Sequence, residues 1–448
     1  CLEREEINMK ILIIGANAAG MSAASRIKRK QAQSEVVVLE ATHEVSYGAC
    51  GLPFYIGGLN DDLDLVRIRS VSDFEKNGIV MRTGYQVQRI DFTQKIVYGT
   101  TDTGKAFGES YDRLLIASGA AARKLAVPGA DKGNIFTLKM PQDAEDLRNA
   151  IERKRANVVI IGGGAIGLEL AEACLMQRVK SLRIIEAASQ LMPGFDEEFA
   201  LFARDELIRH GAQIHLDERV TSFSGEDCVS RVLTDKGTYE ADVVIVSIGV
   251  VPETAFAEGL KKLPNGAIET SETMQTSQPD VFAAGDCASV WHMLLQKPVY
   301  LPLGTYANKQ GRLVGDALLG EPIAYNRALG TVMLRVMGLE FAKTGLTEAE
   351  AKAAGIDAKS VSVRAHSHPH YYPNACDIEI KLCYRADNRV LLGAQLMGER
   401  DTAMRIDPIA VAIDRGMTTA ELGYADFGYA PPFSGSWDAI AVAANAAK

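Results

Sequence analysis

"KILIIGANAAGMSAASRIKRK", residues 10–30, runs from an apolar pentad through a glycine-bearing turn into a helix-forming segment. SEVVVLE, residues 34–40, then returns to an apolar stretch that ends in Glu40. The same order is met again further along: NVVIIGGGAIGLELAEACLMQ, residues 157–177, followed by SLRIIE, residues 181–186, ending in Glu186. Glu40 follows Gly20 by 20 residues, and Glu186 follows Gly167 by 19. Strand, glycine turn, helix, strand and terminal carboxylate at that spacing describe a dinucleotide-binding unit. Glycines permit the tight turn and the close approach of a pyrophosphate, whose charge rests on the helix N-terminus, and the glutamate accepts from a ribose hydroxyl. Gly162, Gly164 and Gly167 fill the second pattern; in the first, Gly15 and Gly20 flank Asn17 at the middle position. Two such units predict two bound dinucleotides.

Around these units strands alternate with helices, which predicts parallel sheets with crossover helices. The composition of the 448 residues, 47% hydrophobic and 23% charged with 40 glycines, is that of a globular α/β protein. A net charge of −9 without a Lys/Arg block makes neither nucleic acid nor an anionic membrane the expected partner. No apolar run reaches the roughly 18 residues of a spanning helix. CLEREEIN, residues 1–8, is polar without a secretory pattern, so it reads as an irregular leader, and the expected compartment is cytoplasmic. Seven cysteines, at positions 1, 50, 174, 228, 287, 376 and 383, form no CxxC and no zinc-type spacing with histidine. Neither a disulfide framework nor a metal site is expected, and Cys174, Cys228 and Cys383 read as small buried hydrophobes.

TSQPDVFAAGDCA, residues 276–288, carries an apolar strand into Gly285 and Asp286 and resembles the second flavin-contacting motif of flavoprotein reductases. YDRLLIASGA, residues 111–120, and VVIVSIGVVP, residues 243–252, resemble the segments where such chains cross between a flavin and a nicotinamide domain. With the glycine turns and a solitary Cys50 in SYGACGLPFYIGG, residues 46–58, the chain from residue 9 onward is identified as a member of the pyridine nucleotide-disulfide oxidoreductase superfamily. It resembles the single-cysteine branch: coenzyme A-disulfide reductases, persulfide reductases, NADH oxidases and NADH peroxidases. Two-cysteine members carry a redox pair, and nothing after Cys50 supplies a partner.

The resemblance implies an α/β fold with two Rossmann-like dinucleotide-binding domains, for FAD and NAD, plus an α+β C-terminal dimerisation domain. The FAD-binding domain is expected at 9–122 and 250–322, the NAD-binding domain at 123–249 and the dimerisation domain of a homodimer at 323–448. Loops are expected at Val127-Pro128-Gly129, Val251-Pro252-Glu253 and Gly320-Glu321-Pro322, and no sulfur-transfer domain after Lys448. Cofactor contacts are implied at Gly15, Ala18, Gly20, Glu40, Ser118, Gly119, Asp286, Gly162, Gly164, Gly167, Glu169, Glu186 and Gly249. A 2′-phosphate beside Glu186 would meet a like charge, and Ala187, Ala188, Ser189 and Gln190 offer no arginine, so NADH is favoured over NADPH.

A free thiol titrates near about 8.5, and a helix N-terminus lowers that value. Pro53 suits a first helical turn, so Cys50 is expected at a helix start and more acidic than a free thiol. By the resemblance, electrons pass from NADH through FAD to whatever oxidised form Cys50 carries. A mixed disulfide, a persulfide and a sulfenic acid all remain open. The leading reading is a reductase of coenzyme A disulfide, CoA persulfide or polysulfide. One alternative is an NADH oxidase or peroxidase cycling a sulfenic acid; another is a flavoprotein that passes electrons to a protein partner and survives Cys50→Ser.

HSHPHYYPNAC, residues 366–376, and GYAPPFS, residues 428–434, resemble the segments that bring tyrosines of the partner subunit to the cysteine in coenzyme A-disulfide reductases. Tyr372 or Tyr371, and Tyr429, are the matching positions, where a phenol can protonate a departing thiolate. Ala18 stands where peroxidases and oxidases place a histidine, whereas Asn17 and SGSWDAI, residues 434–440, lean towards that side of the branch. Arg26 and Arg29 are expected to share a helix face that reaches coenzyme A phosphates, with Ser46 as a further ligand contact. His366, His368 and His370 are assigned to an interface loop, and Cys376 to either a second redox thiol or a structural one.

Overall fold

The computed structural model describes residues 9–152 and 155–448, so the polar leader and Cys1 lie outside the described residues. The first sheet is wholly parallel, in the order Val281–Ala283, Arg113–Ile116, Lys10–Ile14, Glu35–Glu40, Ile79–Thr83. Ile11, Leu12 and Ile13 are fully buried. Such unbroken Val/Ile/Leu runs suit a parallel sheet covered on both faces, where alternation would leave half the strand polar. The helix Ala18–Lys30 crosses back over this sheet and packs on the helix Gly304–Ala317.

The second sheet repeats the plan, in the order Ala212–His215, Ser181–Ile185, Asn157–Ile161, Val243–Val246, Ile135–Phe136, all parallel. Each parallel sheet has an antiparallel three-stranded companion. Tyr85–Asp91, Ile96–Thr101 and Ala106–Ser110 serve the first, and Val220–Ser224, Arg231–Thr234 and Thr238–Glu240 the second.

The chain leaves the first body and returns to it through one ribbon, in which Ala120–Ala122 pairs antiparallel with Val250–Pro252. This corrects the loop expected at Val251-Pro252-Glu253. Proline is tolerated there because the ribbon is two-stranded and only one of its edges needs an N–H. Val127-Pro128-Gly129 and Gly320-Glu321-Pro322 do lie in turn or loop.

Beyond residue 330 an antiparallel sheet orders Val332–Val336, Leu339–Gly345, Leu391–Gly398, Asp377–Arg385 and Ala358–His366. The helices Ile406–Asp414 and Ala439–Ala446 bury Ile406, Ile409, Ile413, Ile440 and Ala443 against it. One apolar cluster joins all three parts: Leu52 and Ile56 after Cys50, Leu168 and Cys174 of the second glycine helix, and Val336, Phe341 and Met397 of the last sheet. Each fully buried aliphatic side chain there is worth about 1.5–3 kcal/mol, so the cysteine-bearing segment is anchored from two other bodies.

Candidate active site

The two glycine turns have the same inner geometry. Gly15 N donates to Leu39 O at 2.8 Å, and Gly162 N to Ile185 O at 2.9 Å. Gly15 has φ +107° and Gly162 φ +108°, and a Cβ would stand 2.2 Å from Ala117 O at the first and 2.2 Å from Ser247 O at the second. A Cβ on Gly20 would lie 2.0 Å from Gly15 O, and one on Gly167 2.2 Å from Gly162 O. Glycine is obligatory at all four positions, which is how the helix comes to start directly beneath the turn. The carboxylates match as well. Glu40 accepts from Ala16 N at 2.8 Å and Thr42 N at 2.9 Å, and Glu186 from Gly163 N at 2.7 Å and Ala188 N at 2.8 Å.

These cradles fit dinucleotides. A Cβ on Gly164, Gly119 or Gly249 would meet nothing within 4 Å, so open space faces each of these backbones. Asn17 occupies the middle position of the first turn without strain, because its backbone is extended at φ −114°. Ser118 Oγ donates to Glu253 O at 2.6 Å, and Glu253 N to Gly119 O at 3.0 Å, tying the outgoing and returning crossings together. Asp286 follows the strand Val281–Ala283; Gly285 N donates to Gln310 Oε1 at 2.9 Å and Lys139 Nζ lies 3.6 Å from Asp286 Oδ2. Lys139 escapes sequence reasoning, since nothing local marks it and its partner is 147 residues away (286 − 139).

Cys50 is exposed, in the single turn Ala49–Gly51 that leads into the helix Leu52–Ile56, with Pro53 in its first turn as expected. The expected acidification is corrected. Partial burial pushes the Cys50 thiol up, the carboxylates of Glu169 and Asp286 push it further, and Lys139 opposes them. A five-residue helix has too weak a dipole to outweigh that burial together with two carboxylates. Glu169, half-buried on the helix Ala165–Met176, is itself pushed up to about 7 by burial and by Glu172. Glu172 accepts from Arg335 Nη2 at 2.7 Å and Met337 N at 3.0 Å.

Other predicted residues take distinct places. Ala18 opens the helix Ala18–Lys30, and Ser46 sits at φ +47° with its N–H donating to Ala16 O at 2.9 Å. Arg26 and Arg29 make different contacts. Arg26 is bidentate on buried Asp316 at 2.8 and 3.1 Å, reinforced by Lys30, while Arg29 Nε donates to Ser25 O at 3.1 Å. Tyr371 OH and Tyr429 OH meet at 3.0 Å on the exposed surface of the C-terminal part, and among the described residues neither is hydrogen-bonded to Cys50. Tyr372 stacks on His368 with ring centroids 5.5 Å apart; His366 pairs with Asp377 at 2.9 Å, and His370 packs edge-on to Tyr371. Cys174 and Cys383 are buried as expected, whereas Cys228 is exposed. It lies in the irregular stretch between Ser224 and Arg231, where the neighbouring Val229 takes the buried position instead.

Residues 9–311 match the family model for pyridine nucleotide-disulphide oxidoreductases, and residues 333–440 that of the family's dimerisation domain. The chain is 36% identical over 447 residues to a protein of Pyrococcus horikoshii named NAD(P)H coenzyme A polysulfide/persulfide reductase, covering 99% of both chains. Among solved structures it is similar to a NAD-dependent persulfide reductase from A. fulgidus, at 34% identity and TM-score 0.94, covering 98% of this chain and 82% of that one. A water-forming NADH oxidase from Lactobacillus brevis bound to NADH matches at 31% identity and TM-score 0.94, covering 98% of each. With the paired glycine turns, the crossing ribbon and the dimerisation sheet in place, the chain belongs to the pyridine nucleotide-disulphide oxidoreductase family, which works with FAD and NAD(P)H.

Proposed function

We propose that the protein uses NADH, through FAD, to reduce coenzyme A disulfide, CoA persulfide or polysulfide at Cys50. The observation that carries this reading is an exposed cysteine in the turn that leads into a short helix packed against the second glycine helix, with no second cysteine beside it among the described residues. The missing sulfur then comes from the substrate. The 36% identity to a coenzyme A polysulfide/persulfide reductase along the whole chain supports the substrate class.

In this reading residues 9–122 and 250–322 hold FAD, 123–249 hold the nicotinamide nucleotide and 323–448 form the dimer contact. Gly15, Gly20, Glu40, Ser118, Gly119 and Asp286 serve the flavin nucleotide, and Gly162, Gly164, Gly167, Glu186 and Gly249 the other. Bound there, the two cofactors supply the electron pair. Glu186 selects NADH, its carboxylate suiting a ribose diol and repelling a 2′-phosphate. Cys50, as thiolate, attacks one sulfur of the substrate's S–S bond, forming a mixed disulfide and expelling a thiolate. Lys139 is the cation that favours the Cys50 thiolate against Glu169 and Asp286. One phenol of the pair Tyr371 and Tyr429 of the partner subunit donates the single proton that the expelled thiolate takes up; their mutual hydrogen bond holds both phenols in one place, and it raises the pKa of Tyr371. Exposed Tyr424, Phe433 and Trp437 on the same part of the chain suit a contact with a second copy. Ser46 remains a candidate ligand contact, and the partly exposed Arg29 remains available to a phosphate.

Cys50→Ser is the test. Turnover of coenzyme A disulfide and polysulfide should vanish while the flavin absorbance is retained; disulfide turnover surviving in the variant contradicts the reading. NADH oxidation by oxygen is the second reading, favoured by the similarity to the Lactobacillus brevis enzyme.

A further inference from the structure

Ser367 and Cys376 stand at the two ends of the loop that carries Tyr371 and Tyr372. Ser367 N donates to Cys376 O at 2.8 Å and Cys376 N to Ser367 Oγ at 3.0 Å, pinching the loop at its stem. Cys376 Sγ lies 3.3 Å from Ser367 Oγ, which lies 2.8 Å from His368 Nδ1. Ser367 and His368 are buried, and Cys376 is half-buried.

The far end of this chain of groups sets the direction of every proton in it. His368 Nε2 is 2.9 Å from Pro432 O, and a carbonyl only accepts, so Nε2 carries the hydrogen. In the neutral ring Nδ1 is then the acceptor, and the Ser367 hydroxyl donates to it. Ser367 Oγ is left to accept, and it does so from the Cys376 N–H and from the Cys376 thiol. The other acceptor near the sulfur, Arg400 O, is longer at 3.9 Å. A thiol donating to a hydroxyl that donates to an imidazole nitrogen is the order of groups that draws a proton from a nucleophile. Cys228 gives an internal contrast: it is exposed, and among the described residues its sulfur has no hydrogen-bond partner.

We infer that Cys376 is a second thiol, distinct from Cys50, and a modification site for low-molecular-weight disulfides. Its sulfur attacks one sulfur of the disulfide, a Cys376–S–S–R bond forms as the disulfide's own S–S bond breaks, and one disulfide replaces another with no net gain or loss of electrons. The thiol proton passes through Ser367 to His368 Nδ1 and on to the departing thiolate, which leaves as RSH. The adduct removes the thiol contact at the loop stem and so shifts Tyr371 against Tyr429.

The test uses the full flavin-containing chain as the Cys50→Ser variant, incubated with glutathione disulfide and mapped by peptide mass spectrometry over time. Cys376 should acquire one glutathione about tenfold faster than Cys228. Ser367→Ala and His368→Gln should each slow Cys376 by about tenfold or more and leave Cys228 unchanged, as expected for loss of a positioned base. His368→Gln keeps a donor for Pro432 O, so it serves where Ser367→Ala impairs folding. Modification of Cys376 no faster than Cys228, or at the same rate in both folded variants, overturns the assignment. Because Cys50 is absent from this experiment, the result stands apart from the reading of the active site.

Discussion

The two glycine turns solve one backbone problem twice and then part company in what their helices touch. In both, two glycines are walled by carbonyl oxygens, at 2.2 and 2.0 Å from the added Cβ in the first turn and at 2.2 and 2.2 Å in the second. The helix of the first turn is bound to the Gly304–Ala317 helix: a Cβ on Gly311 would sit 2.3 Å from Ala19 O, and Asp316 holds Arg26 and Lys30. The helix of the second turn instead faces the cysteine. A Cβ on Gly57 would stand 3.2 Å from Ala173 Cα, and Gln177 Nε2 donates to Ile56 O at 3.0 Å. The inner turn thus specifies only that a dinucleotide fits, and the outer face of the helix specifies what that nucleotide sits next to.

Substitution at the walled glycines should be the most damaging way to probe this equivalence. Gly15→Ala and Gly162→Ala each force a side chain into a positive φ and onto a carbonyl, so each should cost more than about 3 kcal/mol in urea unfolding. A large loss at one and a small loss at the other would break the comparison. Next in size is the division of labour between the carboxylates. Glu186→Ala should lower the NADH-to-NADPH ratio of kcat/KM by about tenfold with flavin retained, whereas Glu40→Ala should weaken flavin retention and leave that ratio alone.

A smaller effect comes from Glu169, which only the second helix carries. Its pKa in the fold, about 7, lies above the ordinary value of 4.5, so the ionised form is the costly one. The protonated form's stabilising contribution is fully present below pH 4.5 and is lost as pH rises through about 7. Glu169→Gln should therefore stabilise the protein above pH 7 by on the order of 1 kcal/mol, discounted for partial exposure, and have no effect near pH 4.5. A constant effect at all pH values would place the origin in packing. The smallest effect belongs to Gly164, whose Cβ would meet no protein atom. Gly164→Ala should change stability by less than about 0.5 kcal/mol yet raise KM for NADH, because the new methyl enters the nucleotide's space.

Both turns were readable because the chemistry needs close neighbours in sequence: glycines two to five residues apart, and a carboxylate one crossover later. The strands behaved likewise, since runs such as VVVLE and NVVII leave little choice of environment. What escaped prediction is set by distant parts of the chain. Arg26 looked free for a phosphate, and its partner Asp316 lies 290 residues away. The Cys50 thiol looked acidic from its helix, but burial raises it, and Glu169 and Asp286 add to that rise from two other segments against the opposing Lys139. Pro252 looked like a loop residue until Ala120 was brought opposite it. Replacing Arg26 by Gln separates the two views of that residue: a lower melting midpoint with unchanged KM for coenzyme A disulfide assigns it to the Asp316 pair, and the reverse assigns it to the ligand.

Reoxidation of the reduced enzyme tests the central claim most directly. The purified protein is titrated anaerobically with one equivalent of NADH and then mixed with coenzyme A disulfide or polysulfide. The account predicts return of the oxidised flavin spectrum in the wild-type chain and none in Cys50→Ser. A flavin that stays reduced with these sulfur compounds and returns only when oxygen or peroxide is admitted would contradict it.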